Sequence, residues 1–118
     1  MYKVMEETRD NLVGLRITGK LDAQDYQALK PMMDQVVDEH GTIRMLIDLE
    51  GFEGWTLRGL LQDLKVDVEY NDVMEKIAIV GEKKLEELVS KASAPFFKGD
   101  LKWFEKNEID AAWEWLKA

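Results

Sequence analysis

The chain has 118 residues, of which 46% are hydrophobic and 34% are charged, a composition typical of a globular domain rather than of a disordered segment. Its 24 acidic residues outnumber its 16 Lys and Arg residues, for a formal net charge of -8. This balance disfavours nucleic acid as a partner, because contacts with phosphates dominate that affinity. The absence of cysteine excludes disulfides, thiolate metal sites and cysteine nucleophiles. We expect a single domain over residues 1–118, in a reducing, cytoplasmic setting, with no signal core at its start and no apolar run near the ~18 residues of a membrane span.

The first third of the chain predicts a β-hairpin followed by a helix. Residues 2–7 and 12–18 are rich in β-forming side chains and partly alternate, and typical turn residues separate them. Asp22 is predicted to cap the helix, and Gly41 to end it. Pro31 falls inside this helix and should kink it or split it. The apolar stripe of the helix consists of Tyr26, Leu29, Met33, Val36 and Val37.

The middle of the chain predicts a buried strand, a glycine-hinged loop and a second helix. Residues 42–49 form a short apolar run typical of a strand that is covered on both faces. Gly51 and Gly54 then allow backbone angles that other residues avoid, and a helix is predicted over residues 56–70. Ligands of open α/β sheets bind beyond the carboxyl ends of the strands, so this loop is the first place to look for a site. The apolar face of the predicted helix is formed by Leu57, Leu60, Leu61, Leu64 and Val68.

The last third continues the alternation of strands and helices. Residues 76–80 predict a buried strand, residues 82–91 a short amphipathic helix, and residues 101–104 a last strand. Asn107 is predicted to cap the final helix, whose inward side chains would be Ile109, Ala112, Trp113 and Leu116. The resulting order β-β-α-β-α-β-α-β-α indicates an α/β fold with helices packed on a mixed, mostly parallel sheet and an antiparallel hairpin at one side.

Several segments resemble one known family. Residues 48–57, Asp-Leu-Glu-Gly-Phe-Glu-Gly-Trp-Thr-Leu, followed by Gln-Asp-Leu-Lys at residues 62–65, closely resemble the SpoIIAA-like family of small bacterial proteins. Residues 77–84, Ile-Ala-Ile-Val-Gly-Glu-Lys-Lys, and residues 111–116, Ala-Ala-Trp-Glu-Trp-Leu, are similar to its later signatures. The similarity extends over nearly the whole chain, and the Gly-Phe-Glu-Gly-Trp segment is its most specific part.

The resemblance implies a STAS fold, which is that of anti-sigma-factor antagonists and of the soluble domains of sulfate transporters. It also implies a kinship in shape with CRAL-TRIO lipid-transfer domains. An apolar ligand pocket and membrane association through a mobile helix have both been proposed for members of this family, but the family has no settled function.

The chain departs from the anti-sigma-factor antagonists at the start of the predicted second helix. Those proteins carry Asp-Ser-Ser-Gly there, and one of the serines is phosphorylated. The matching residues in this chain are Thr56-Leu57-Arg58-Gly59. Neither serine is present, and the hydroxyl of Thr56 falls at the Asp position. The phosphorylation switch is therefore not expected in this chain.

No catalytic constellation is readable in the sequence, and we expect a protein that is not an enzyme. His40, the only histidine, falls at the end of a predicted helix. There it is better explained by a favourable interaction with the helix dipole than by a role as a catalytic base. Ser90 and Ser93 have no His or Lys at motif spacing. Adjacent carboxylates such as those of Glu86 and Glu87 lack the loop of a cation site, so no metal or other cofactor is expected.

The leading hypothesis is a domain that binds a small apolar ligand or lipid between the predicted second helix and the sheet. Aromatic residues in the glycine-flanked loop favour a binding role, although Trp55 folded back onto the core is an equally good interpretation. The alternative is a protein-interaction or regulatory module in which this loop contacts a protein partner. Membrane contact is expected to be weak, transient and peripheral, since the net charge opposes anionic lipid. The candidate ligand-binding residues are Phe52, Trp55, Leu57, Leu60, Leu61, Leu64 and Phe97.

Overall fold

A computed structural model describes residues 2–19, 23–52, 72–82 and 99–118, without the side chains of Ala23, Tyr26 and residues 50–52. These residues form a five-stranded sheet of order β1-β2-β3-β4-β5. β1 and β2 pair antiparallel, and each later pair is parallel, which confirms the expected mostly parallel sheet with a hairpin at one side. The strands are β1 (Tyr2–Val4), β2 (Leu12–Gly19), β3 (Ile43–Phe52), β4 (Met74–Gly81) and β5 (Asp100–Glu105).

Among the described residues, two helices pack on opposite faces of this sheet. Helix α1 (Ala23–His40) covers one side, which we call the α1 face, and helix α2 (Ile109–Lys117) covers the other, the α2 face. Successive side chains of a strand point to opposite faces, so each strand contributes to both layers of the core. The predicted helix over residues 56–70 lies outside the described ranges, and so does the helix predicted over residues 82–91 except for Glu82, which is described and is not helical. No helix among the described residues is long and apolar enough to cross a membrane.

The α1 face and the α2 face are both apolar at their centres. On the α1 face, Leu29 and Met33 of α1 pack against odd-numbered strand residues such as Ile47 and Ile79. On the α2 face, Trp113 and Leu116 pack with even-numbered strand residues, which include Leu46, Ala78, Val80 and Phe104. A sheet that is covered on both faces explains the near-continuous apolar runs of β3 and β4.

Strand β3 is longer than the sequence predicts. The apolar run ends at Leu49 and the sequence predicts a loop after it, but the strand continues to Phe52. The added residues have partners because β2 also runs on: Thr18 lies opposite Gly51 and Gly19 opposite Phe52, beyond a register shift after Arg16. The loop prediction for Phe52 is therefore wrong, since pairing with a strand distant in sequence supplies the hydrogen bonds.

Helix α1 is continuous through Pro31, so the proline does not split it. Pro31 lies on the exposed side of the helix, where water can satisfy the carbonyl that loses its usual N–H partner. The end of the helix agrees with the prediction. Gly41 has a left-handed φ of +80°, and its N–H donates to the Val37 carbonyl over 2.7 Å, as expected for a glycine that terminates a helix.

The final helix begins differently from the prediction. Asn107 does not cap it, because residues Lys106–Glu108 form a turn of 3-10 helix from which α2 continues. The turn is capped instead at Glu105, whose N–H donates to Glu108 Oε1 over 2.9 Å. The interior of α2 agrees with the sequence: Ala112, Trp113 and Leu116 are buried, and Ile109 packs against them at the margin.

Candidate functional site

The residues that the sequence predicts as a ligand site fall mostly outside the described part of the chain. Phe52 is the exception: it is the last residue of β3, and its backbone lies opposite Gly19. Its side chain and the remaining predicted site residues are not described. The candidate site is therefore built from the sheet surface that leads to the same edge.

The carboxyl ends of β2, β3, β4 and β5 meet at one edge of the sheet because these strands are parallel. Trp103 lies close to this edge on the α1 face, two residues before the end of β5. Its partner in register is Ile79, two residues before the end of β4. One step further from the edge, Leu101 lies opposite Ile77. Together Ile77, Ile79, Leu101 and Trp103 form an apolar surface, which we call the β4–β5 patch.

The β4–β5 patch differs in exposure across its width. Ile77 and Ile79 are fully buried, whereas Leu101 and Trp103, on the last strand of the described sheet, are only partly buried. All four belong to the hydrophobic cluster that α1 covers. The patch is therefore continuous with the core on one side and partly open on the side of β5.

Trp103 brings a polar atom into this apolar surface. Its Nε1 is buried and has no hydrogen-bond partner among the described residues. An indole N–H can only donate, so it needs an acceptor. Leaving such a donor buried and unpaired costs about 1–3 kcal/mol, and an acceptor brought by a ligand would recover part of that free energy.

Trp113 also has a buried Nε1 without a described partner, but its surroundings differ. Trp113 is 6% exposed, and its ring packs directly on the backbone of Gly14 on the α2 face. There is no room for a ligand between a ring and a backbone in contact. Of these two unpaired indole groups, only that of Trp103 belongs to a partly exposed residue on an otherwise apolar surface.

Charged side chains of the strands are concentrated on the α2 face. Each of the five strands carries one Lys or Arg, and the register and alternation place all of them on this face. Arg44 and Lys76 contact α2 directly, and Lys102 lies over the Phe104 ring. The strand cations are Lys3, Arg16, Arg44, Lys76 and Lys102. The α1 face of the described strands therefore contains no cation.

Asp48 is a buried carboxylate on the α2 face, near the carboxyl edge. Arg16, opposite it in register, donates from Nε to Asp48 Oδ2 over 3.1 Å. The Asp48 side chain is 4% exposed and that of Arg16 42%, so the pair joins a buried anion to a half-exposed cation. This arrangement compensates the buried charge of Asp48.

His40 and the acidic residues of the described ranges show no arrangement of a reactive or metal site. His40 is the last residue of α1, in agreement with its predicted position at a helix end, with Nε2 3.8 Å from Glu39 Oε2. Within residues 2–19, 23–52, 72–82 and 99–118, no group of three His, Cys, Asp or Glu side chains is placed to hold a metal ion.

The sheet order and the two covered faces define a mixed α/β domain of the STAS type. The model of the SpoIIAA-like family matches residues 12–117, and the chain belongs to that family. Among solved structures, it is similar to an uncharacterized protein of the DUF3478 family with a SpoIIAA-like fold from Shewanella loihica PV-4, with 26% identity and a TM-score of 0.72. That match covers 98% of this chain and 93% of the other. No curated protein matches the chain.

Proposed function

We propose that this protein is a non-enzymatic domain that binds a small apolar or amphipathic ligand against the β4–β5 patch. The observation that carries the proposal is the buried Trp103 N–H, which has no described acceptor on an otherwise apolar surface. The patch also lies towards the carboxyl edge of a parallel sheet, where ligands of α/β folds bind. An apolar chain would contact Leu101 and Trp103, and a polar group at one end would meet the indole.

The patch is better suited to binding the apolar chain of a ligand than to catalysing a reaction. Its side chains offer dispersion contacts and no nucleophile. Burying apolar ligand surface there contributes about 25 cal/mol of binding free energy per Å². The buried Asp48 and its partner Arg16 lie on the opposite face of the sheet and take no part in this contact. Binding without chemistry is therefore the function that these residues favour.

Two variants of neighbouring residues test the proposal. Leu101→Gln introduces a glutamine into the patch. Lys102→Gln introduces a glutamine at the next residue of the same strand, on the α2 face, and is the control. The gently purified wild-type chain should retain lipid that mass spectrometry detects, and Leu101→Gln should retain much less. Lys102→Gln should behave like the wild type. A wild-type chain that carries no lipid and, by calorimetry, binds no long-chain alcohol, ester, fatty acid or alkylammonium would overturn the proposal.

A protein-interaction module is the second candidate, and membership of a family with the STAS fold favours it. The contact would be the segment that begins at Phe52, as the sequence suggests. A pull-down with the wild type and with Phe52→Ala/Trp55→Ala distinguishes the two functions. Loss of a protein partner with lipid retained supports interaction, whereas lost lipid with unchanged partners supports the ligand site.

Membrane contact, if ligand is collected from a bilayer, should be weak and brief. Complete burial of two aromatic side chains, such as those of Phe52 and Trp55, contributes roughly 3–6 kcal/mol of binding free energy, and partial insertion at the headgroups contributes less. The net charge of -8 opposes anionic lipid. Flotation with neutral and anionic vesicles should therefore recover little protein, and less with the anionic ones.

A further inference from the structure

We infer that the ligand carries an uncharged hydrogen-bond acceptor at its polar end, such as an alcohol hydroxyl or an ester carbonyl, and that Trp103 Nε1 donates to it. This inference rests on the proposed binding function and specifies the chemical class of the ligand. It follows from the direction of the unpaired hydrogen bond and from the distribution of charge between the two faces of the sheet.

The direction of the hydrogen bond comes from the indole. Trp103 Nε1 is a donor with no lone pair to offer, so the group that meets it must accept. Alkanes and quaternary ammonium groups lack an acceptor and would leave the N–H buried and unpaired. A hydroxyl, a carbonyl or a carboxylate would each satisfy it, and charge decides among these.

The charge distribution disfavours the carboxylate. A buried anion needs a cation or several hydrogen bonds to compensate its lost hydration. All five strand cations lie on the α2 face, on the other side of the sheet from the patch. On α1, Lys30 is exposed. The described strands therefore offer an anionic headgroup no compensating charge at Trp103.

A nearby acidic residue reinforces this preference. Glu105 follows Trp103 by two residues on β5, so strand alternation places it on the same face at the carboxyl edge. Its backbone N–H is already paired with Glu108, which leaves no donor there for a carboxylate ligand. The Glu105 carboxylate accepts from the Glu108 N–H of the 3-10 turn, so this residue adds one negative charge at the end of β5 and offers an anionic headgroup no compensation.

The test compares four ligands with apolar chains of similar length at neutral pH, each below the concentration at which it forms micelles or a separate phase. They are cetyl alcohol, methyl palmitate, palmitate and cetyltrimethylammonium. Calorimetry with the full wild-type chain should give affinities at least about tenfold tighter for the alcohol or the ester than for palmitate or the ammonium ligand. A tenfold ratio corresponds to a difference of about 1.4 kcal/mol in binding free energy. Equal or tighter binding of palmitate or of the ammonium ligand overturns the inference while the binding function stands.

The donor is tested by a substitution that keeps the ring apolar and removes the N–H. Trp103→Phe should weaken binding of the alcohol or the ester about threefold to tenfold, the range of one net hydrogen bond. Trp113→Phe removes the other unpaired indole, on the α2 face, and should leave these affinities unchanged. Circular dichroism checks that both variants fold. Equal losses in both variants, or none in Trp103→Phe, overturn the assignment of the donor, and no binding of any of the four ligands by the wild type overturns the proposed function itself.

Discussion

The ring of Trp113 occupies the space that a side chain at Gly14 would fill. A Cβ atom placed on Gly14 would lie 2.7 Å from Trp113 Cη2 and 2.8 Å from Cζ2, with Met5 Cβ at 3.1 Å. Glycine on the central stretch of β2 thus lets α2 approach the sheet backbone. This contact joins the last helix of the chain to the second strand, and it fixes the depth of α2 on its face.

Gly14→Ala should destabilise the protein by about 1–3 kcal/mol, the usual result of overpacking a core. Urea unfolding monitored by circular dichroism measures the change. In a Trp113→Phe background the smaller ring leaves room, so the same substitution should cost less. Gly41→Ala, which strains a left-handed position far from Trp113, should be additive with Trp113→Phe. Additivity for Gly14→Ala as well would contradict the packing explanation.

Arg16→Met should destabilise the fold because it leaves the buried Asp48 carboxylate without its cation. Since Arg16 is half exposed, the expected loss is about 1–2 kcal/mol rather than that of a fully buried pair. Arg9→Met, at an exposed arginine of the turn before β2, is the matched control and should change little. Equal effects of the two substitutions in urea unfolding would mean that other contacts of Asp48 compensate its charge.

Glu75 links stability to pH. The hydrogen bond from the Thr42 hydroxyl, followed by the Arg44 side chain, holds the pKa of the Glu75 carboxyl below its ordinary value of 4.5. A carboxyl with a lowered pKa in the folded state adds stability above its unfolded pKa, and that stability is lost as the pH falls through the folded value. Glu75→Gln should therefore be less stable than the wild type at neutral pH, with the difference disappearing in acid.

The Thr42→Val background provides the control for this pH dependence. Without the hydroxyl, the main cause of the lowered pKa is gone, so Glu75→Gln should alter the pH dependence less. Denaturation curves across the acid range compare the four proteins. A Glu75→Gln effect that is independent of pH, or unchanged by Thr42→Val, would show that Glu75 acts through packing.

The sequence predicts the framework of this fold better than its contacts. Apolar runs located β3 and β4, and Gly41 located the end of α1, because burial on both faces and a left-handed backbone each leave a local signal. The extension of β3 to Phe52 has no such signal, since it depends on pairing with Gly19. Likewise, Asn107 is a good cap by residue type, yet the 3-10 turn is capped at Glu105, whose N–H donates to the Glu108 side chain.

The candidate site shows the same limit. In the sequence, Trp103 is an aromatic residue of a predicted strand, and nothing distinguishes it from a core residue. Only the register with Ile79 shows that it lies on the α1 face, and only its surroundings show the unpaired N–H. Each strand cation alternates with apolar residues in its own strand, but only the register places all five cations on one face of the sheet.

Arg44 and Lys76 hold the end of α2 against the sheet. Arg44 Nη1 donates to the Leu116 carbonyl, and Lys76 Nζ donates to the Trp115 carbonyl over 3.0 Å. Lys76 also lies 5.1 Å from the centroid of the Trp115 ring. The last carbonyls of a helix have no partners within it and carry partial negative charge, so two cations from neighbouring strands satisfy both needs.

Arg44→Met should therefore loosen the last turn of α2 and destabilise the protein by about 1–2 kcal/mol. Hydrogen exchange should show the larger change at the Ala118 amide, which donates to carbonyls of that turn, than at the amides of Ile77 and Ile79 in the central sheet. Lys102→Met is the control: this cation also lies on the α2 face, 5.1 Å from the Phe104 ring centroid, but it is not bonded to the helix end in the described structure. If both substitutions change exchange at Ala118 equally, general loss of positive charge on this face is the cause, and specific bonds to the carbonyls are not.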